Sequence, residues 1–174
     1  MLAALVGERN HVTVRPHPEY VKRYGSAMNA LVERYKDYGE NQLTFELNFS
    51  KNKSIYTSDV LITDWSGVAT EFCFATKRPA VFINTKMKCP NPNYTKIDLT
   101  PVEISLRDEI GVSVDKDKVS TLPEILDTLD ANAEAYKKAI IEREKTLIFN
   151  PGCAAKCGAD YILKSLSEKA KSKK

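Results

Sequence analysis

The sequence lacks a long apolar run and a paired cysteine pattern. No apolar stretch approaches the roughly 18–20 residues of a membrane span, and the first residues lack the cationic start of a secretory leader. The four cysteines, among them Cys153 and Cys157 four positions apart, fall in no zinc or disulfide spacing. We therefore expect buried, reduced thiols and a cytoplasmic protein, with peripheral attachment to the inner face of the cell membrane as a further option.

The sequence also lacks a broad surplus of charge. The chain has 174 residues, of which 43% are hydrophobic and 28% charged, with a net charge of +3. Five lysines and one glutamate lie in residues 164–174, so the rest of the chain is close to neutral. This composition excludes wholesale disorder and gives no sign of a nucleic-acid-binding surface. We expect one domain over residues 1–174 that ends in a basic tail.

Short strand patterns alternate with helical patterns along the chain. Strands are predicted at residues 11–15, 43–47, 60–63, 79–83 and, more weakly, 111–114. Helices are predicted at 19–38, with an interruption at Gly25-Ser26 left open, and at 66–75, 121–148 and 154–166, after which the lysine-rich end is expected to be frayed. Residues 50–57 are predicted as a short helix or turn, and 86–101 as a surface loop. Alternation with short connections indicates an α/β fold with a parallel sheet flanked by helices. Residues 2–6 resemble the end of a helix stopped by Gly7, from which we expect a fragment of a longer protein.

A strand-to-helix turn within residues 58–72 is the strongest motif. A buried strand ends at Thr63-Asp64, and a helix begins near Ser66-Gly67. Open parallel sheets bind ligands beyond the carboxyl ends of their strands, and a helix amino terminus there favours phosphate. Gly67 would let a phosphate approach the backbone, and Ser66 could donate a hydroxyl. In the alternative interpretation, Asp64 or Ser66 only caps the helix.

A second motif, Arg-Pro-His-Pro-Glu at residues 15–19, also follows a predicted strand. It places a cation and an imidazole at the edge of the sheet. Pro16 and Pro18 restrict the backbone around His17 and remove competing N–H donors. This arrangement favours a functional role for His17, with a structural turn as the alternative.

These motifs resemble the CDP-glycerol glycerophosphotransferase family, which builds poly(glycerol phosphate) and related teichoic-acid polymers. The resemblance is carried by residues 15–19, 58–72 and the Lys-Arg-Pro-x-x-Phe stretch at 77–82. It implies the Rossmann-like, donor-binding half of a GT-B transferase whose acceptor-binding domain precedes it. The implied reaction is attack of a lipid-linked or polymer acceptor hydroxyl on the β-phosphate of CDP-glycerol, which releases CMP.

The resemblance also implies roles for individual residues. His17 would contact or protonate the donor phosphate region, Ser66 and the Gly67 amide would hold the pyrophosphate, and Asp64 and Glu71 would contact ribose or glycerol. The full substrate-binding set comprises Arg15, Pro18, Ser58, Asp64, Ser66, Gly67 and Glu71. No cofactor and no metal ligand is expected.

Three departures from the family pattern affect the expected donor. Trp65 and Gly67 stand where the pattern has tyrosine and serine, and the arginine of a later Asp-Gly-x-Ala-Ser-x-Arg segment is absent. CDP-ribitol or another nucleotide-linked polyol therefore stays open as the donor. The alternatives are another GT-B glycosyltransferase, a nucleotide-sugar epimerase, or a receiver-like signalling module with Asp64 as phosphate acceptor.

Overall fold

The computed structural model describes residues 1–48, 52–87, 91 and 93–171. Contacts divide the chain into two compact units, Met1–Ile140 and Ile141–Lys174. The first unit contains the strands β1 (Val12–Val14), β2 (Leu43–Phe45), β3 (Leu61–Thr63), β4 (Ala80–Asn84) and β5 (Gly111–Asp115). Strands β1 and β2 pair in parallel, and β3, β4 and β5 form a parallel sheet in that order. The predicted parallel α/β class is confirmed.

Helices lie between successive parallel strands, as parallel pairing requires, and also before β1 and after β5. They are α1 (Leu2–Leu5), α2 (Pro18–Arg23), α3 (Gly25–Arg34), α4 (Lys53–Thr57), α5 (Val68–Thr76), α6 (Val102–Ser105), α7 (Arg107–Ile110), α8 (Leu122–Ala131), α9 (Ala133–Leu147) and α10 (Ala154–Lys171). Short 3₁₀ turns occupy Tyr94–Lys96 and Lys116–Thr121. Helix α9 runs from the first unit into the second, and α10 lies in the second. Within the described part of the chain, no helix is long and apolar enough to cross a membrane.

The central strand β4 organises the core of the first unit. Its residues from Ala80 to Ile83 are all buried, which matches the continuous apolar run expected of a strand covered on both faces. Val81 and Ile83 point to one face because side chains alternate along a strand. There they pack with buried residues of α1, β5 and α8, namely Leu5, Val114, Leu122 and Leu129.

Several predicted helices differ in their extent from the observed ones. The helix predicted at 19–38 is two helices that meet at Tyr24, and the helix predicted at 121–148 is divided at Asn132. Helix α10 continues through the expected frayed end to Lys171. Helices α6 and α7 were not predicted. Residues 49–51, 88–90, 92 and 172–174 lie outside the described part, so the start of the helix predicted at 50–57 and part of the predicted loop are untested there.

The cysteine prediction is only partly correct. Cys73 is buried, and burial raises the pKa of its thiol to about 12, so it stays protonated at neutral pH. Cys153 is exposed and Cys157 is half-buried, with their sulfurs 3.9 Å apart. Expecting Cys153 to be buried was therefore wrong, because its position just before α10 faces solvent. Cys89 lies outside the described residues.

Candidate functional site

A cavity of about 500 Å³ opens beside the carboxyl ends of β3 and β4. Its floor is the turn from β3 into α5, and its opposite wall comes from the segment between β4 and α7. Phe82 of β4 also contributes, on the face of the strand opposite the core cluster. The described lining residues are Asp64, Trp65, Ser66, Gly67, Thr70, Phe82, Met87, Asn91, Tyr94, Ile97, Pro101, Glu103, Ile104 and Arg107.

The amino terminus of α5 is part of this cavity and has no side-chain cap. Gly67 is the N-cap residue, and no side chain accepts a hydrogen bond from the first turn. Ser66 is exposed, and its hydroxyl has no partner among the residues described. The interpretation that Asp64 or Ser66 caps the helix is therefore wrong. Within the first turn the Ala69 amide donates to the Ser66 carbonyl at 3.2 Å, which leaves the Gly67 and Val68 amides and the Ser66 hydroxyl available to a ligand.

Asp64 lies at the same strand end, where a hydroxyl holds it in place. Its Oδ2 accepts a weak 3.4 Å hydrogen bond from the Thr85 hydroxyl just beyond β4. The neighbouring Trp65 donates from Nε1 to the Thr85 carbonyl at 2.9 Å. Thr85, the residue that follows β4, thus positions both the acidic side chain of Asp64 and the aromatic ring of Trp65 in the cavity wall.

Arg107 is a cavity residue that the sequence analysis missed. It begins α7, which packs against the sheet, and only 4% of its surface is exposed. Its Nη2 donates to Asn84 at 2.8 Å, and its Nε lies 3.5 Å from the Ser113 hydroxyl. The guanidinium carbon is 3.9 Å from the centre of the Trp65 ring. Nothing in the sequence signalled this position, because Glu103 lies one turn before Arg107 and Asp108 and Glu109 follow it, as on an exposed helix.

The hydrogen bonds that orient Arg107 continue to the end of β5. The Asn84 amide donates to Asp115 at 2.9 Å, which fixes the amide so that its oxygen faces the guanidinium. This hydrogen bond, with a second one from Lys118, lowers the pKa of Asp115 below its ordinary value. The ends of β4 and β5 therefore present a fixed neutral acceptor to Arg107.

The ends of β1 and β2 form a separate charged cluster. Arg15 follows β1 and binds Glu46, which follows β2, through an Nη1–Oε2 contact of 2.8 Å. Its Nη2 also donates to Asn52 at 2.7 Å. The Ser54 hydroxyl donates to Glu46 at 2.6 Å, and this bond, together with Arg15, lowers the pKa of Glu46 despite partial burial. The charge of Arg15 is thus compensated within the protein.

His17 is exposed at the start of α2 and acts as its N-cap residue. Its Nδ1 accepts a hydrogen bond of 3.1 Å from the Glu19 backbone N–H, while Pro18 occupies the first helical position. An amide N–H can only donate, so the neutral ring carries its proton on Nε2. The capping bond therefore aims a single imidazole donor, Nε2–H, at solvent.

Two further predicted binding residues lie away from the cavity. Ser58 precedes β3 at the amino edge of the sheet. Its hydroxyl donates to the Ser54 carbonyl at 2.7 Å, and its own carbonyl accepts from Arg78 at 2.8 Å. Glu71 is exposed on α5 and does not line the cavity. Of the predicted set, the structure brings Asp64, Ser66 and Gly67 together in the cavity wall, and His17, Arg15 and Pro18 lie at the end of β1.

Among the residues described, no group of three or more His, Cys, Asp or Glu side chains lies close enough together to hold a metal ion. The site is instead a cavity at the carboxyl edge of a parallel α/β sheet, with an uncapped helix terminus, a buried arginine and aromatic walls. Such features are typical of parallel α/β proteins that bind phosphorylated ligands at their strand ends.

The family follows from the whole sequence. The chain belongs to the CDP-glycerol:poly(glycerophosphate) glycerophosphotransferase family, whose model matches residues 1–162. This membership confirms the resemblance stated from the motifs and supports glycerophosphotransferase activity in general. Comparisons with curated proteins and with solved structures gave no match.

Proposed function

We propose that this chain supplies the donor-binding half of a transferase that moves glycerol phosphate, or a similar polyol phosphate, from a CDP-linked donor to a cell-wall or surface polymer. One observation carries the proposal: a cavity of about 500 Å³ at the strand ends contains the uncapped amino terminus of α5. A nucleotide-linked donor needs both a site for its phosphates and an apolar surface for its base. Trp65, Phe82 and Ile104 supply the apolar surface in this cavity.

The proposed chemistry is a phosphoryl transfer. The acceptor hydroxyl oxygen forms a bond to the β-phosphorus of the donor, and the bond from that phosphorus to the bridging oxygen breaks. CMP leaves with the bridging oxygen and its electron pair, and the hydroxyl proton passes to a base. The protein stabilises the transition state mainly by placing hydrogen-bond donors against the phosphoryl oxygens.

His17 is the proposed catalytic residue at the end of β1. Its exposed Nε2–H is available to donate to a phosphoryl or leaving oxygen, because Nδ1 is already engaged by the Glu19 amide. Arg15 and Pro18 hold the turn that presents it. The acceptor, in this proposal a lipid-linked or polymer end, would be presented by the acceptor-binding half of the transferase.

Calorimetry with a nucleotide panel tests the proposal. We expect CMP and CDP-glycerol to bind the chain more tightly than the uridine and guanosine forms. Turnover needs the acceptor-binding half, so the chain alone should bind the donor without consuming it. Failure of every cytidine nucleotide to bind would contradict the proposal, and a preference for uridine or guanosine forms would indicate another nucleotide-linked glycosyltransferase instead.

A further inference from the structure

Arg107 carries a buried charge whose presence the fold alone does not explain. In the part of the chain that the structure describes, it is the one buried side chain that is polar or charged, with 4% of its surface exposed. An arginine stays protonated under all ordinary conditions. Burying such a charge is costly unless opposite charge and hydrogen bonds compensate for it. A purely structural position here would be served better by an apolar side chain.

Compensation within the protein is incomplete. Arg107 forms no ion pair with any described residue, and its hydrogen-bond acceptors, Asn84 and Ser113, are both neutral. The rings of Trp65 and Phe82, with centroids 3.9 and 4.8 Å from its guanidinium carbon, supply cation–π contacts. Burial is the largest influence on its pKa and lowers it, and the carboxylates of Asp108 and Asp64 act in the opposite direction without outweighing burial.

One guanidinium nitrogen remains accessible. Nε faces Ser113 and Nη2 faces Asn84, whereas Nη1 has no acceptor among the described residues. No fully buried side-chain nitrogen or oxygen in those residues lacks a partner. Nη1 is therefore the atom that solvent reaches, and Arg107 lines the cavity beside the first turn of α5. The rings and the two acceptors fix the group in one orientation before any ligand arrives.

We infer that Arg107 is the phosphate-binding cation of this cavity: Nη1 donates to a phosphoryl oxygen of the donor while Ser66 and the α5 amides bind the same group. The inference rests on the proposed function and deepens it by naming a cation that the motifs do not contain. A guanidinium held flat between rings and fixed at two nitrogens binds an oxyanion with little loss of conformational freedom.

Two carboxylates limit where a phosphate can bind. Asp64 and Glu103 also line the cavity, so an anion is favoured only where Arg107 and the α5 amides outweigh them. Carboxylate oxygens accept hydrogen bonds from hydroxyl groups. The cavity therefore suits a ligand that combines a phosphoryl group with neighbouring hydroxyls, as a polyol or ribose phosphate does.

The test compares CMP with cytidine, which differ by one phosphoryl group. Binding is followed by the fluorescence of Trp65, the only tryptophan of the chain, in wild type, Arg107→Lys and the matched control Arg78→Lys. Arg78 is a partly buried arginine that donates to carbonyls at the amino edge of the sheet. Lysine keeps the charge but loses the planar fork and its stacking.

We expect Arg107→Lys to weaken CMP binding at least tenfold and to change cytidine binding by less than twofold, while Arg78→Lys changes neither. If Arg107→Lys loses as much affinity for cytidine as for CMP, or binds CMP as tightly as wild type does, the inference is overturned. A second measurement needs only wild type, so it stands even if Arg107→Lys does not fold: inorganic pyrophosphate should quench the fluorescence of Trp65. If neither pyrophosphate nor CMP changes the fluorescence of wild type, the inference is also overturned. If UMP and GMP bind as tightly as CMP, the cytidine donor is wrong, yet the Arg107 effect should persist.

Discussion

Replacing Gly67 by serine tests whether an anion binds over the first turn of α5. Gly67 has φ −60° and ψ −20°, a conformation that any residue adopts, and a Cβ built there meets nothing within 4 Å. The family pattern carries serine at this position. Gly67→Ser therefore adds a hydroxyl to the cavity wall without a clash.

The magnitudes follow from this geometry. Removing a glycine narrows the unfolded ensemble and stabilises the protein by about 0.4–1 kcal/mol where the native backbone tolerates the new residue. The helical φ and ψ of Gly67 do not suit side-chain capping, so the free energy of unfolding should change by no more than this. A hydrogen bond to a charged phosphoryl oxygen contributes about 1.5 kcal/mol, which is about tenfold in affinity.

The assay is titration of CMP against the fluorescence of Trp65, with Gly67→Ala as the matched control that adds a Cβ without the hydroxyl. We expect Gly67→Ser to bind CMP about tenfold more tightly than Gly67→Ala, with similar unfolding midpoints in urea. Equal affinities of the two folded variants would refute contact between a hydroxyl at this position and phosphate. If both variants bind more weakly than wild type, the phosphate packs directly against the glycine backbone instead.

Three other substitutions test the fold and the cluster at the end of β1. Gly111→Ala would place its Cβ 1.8 Å from the Ala80 carbonyl oxygen. We therefore expect the free energy of unfolding in urea to fall by about 3 kcal/mol or more. An unchanged urea midpoint would show that β5 can move away from β4 without cost. Because folding lowers the pKa of Glu46 below its ordinary value of 4.5, its charged form stabilises the protein fully at pH values above 4.5. The free energy of unfolding of wild type should therefore exceed that of Glu46→Gln by a constant amount near neutral pH, and this difference should decline as pH falls below 4.5. A difference that does not depend on pH would show that the ionised carboxylate is not its cause. In a transferase that contains the proposed acceptor-binding half, His17→Ala should lower kcat by about 100-fold or more, while CMP binding to the cavity stays within twofold. Near-normal turnover would remove His17 from catalysis.

The sequence predicted the sheet better than it predicted the helices. Short continuous apolar runs such as residues 79–83 are typical of strands buried on both faces, and the structure places that run at the centre of the sheet. The helix break at Tyr24 directly precedes the interruption that Gly25-Ser26 indicated. The break at Asn132 was missed because apolar spacing continues across it. Asn132 is exposed, and its side-chain amide donates to the Thr128 carbonyl at 2.8 Å, a local contact at the end of α8.

The candidate site was predicted where a motif lies in one continuous stretch. Asp64, Ser66 and Gly67 share the turn after β3, so local spacing was enough to bring them together. Arg107 could not be found this way, because its role depends on Trp65, Phe82 and Asn84, which follow other strands. Long-range packing creates its environment, and the periodicity of a single segment carries no such information.

The arginine at the end of β1 and the arginine beside α5 have different partners. This difference supports a different role for each of the two sites. Arg15 is paired with Glu46 at 2.8 Å, so the end of β1 offers a phosphate little net positive charge. Arg107 has neutral hydrogen-bond acceptors, aromatic contacts and no ion pair among the described residues, so Asp108 and Asp64 compensate its charge only in part. In the proposed function, phosphate binding is therefore assigned to the cavity beside α5. His17 is expected to contribute a directed hydrogen bond or a proton, which requires no net charge at its edge.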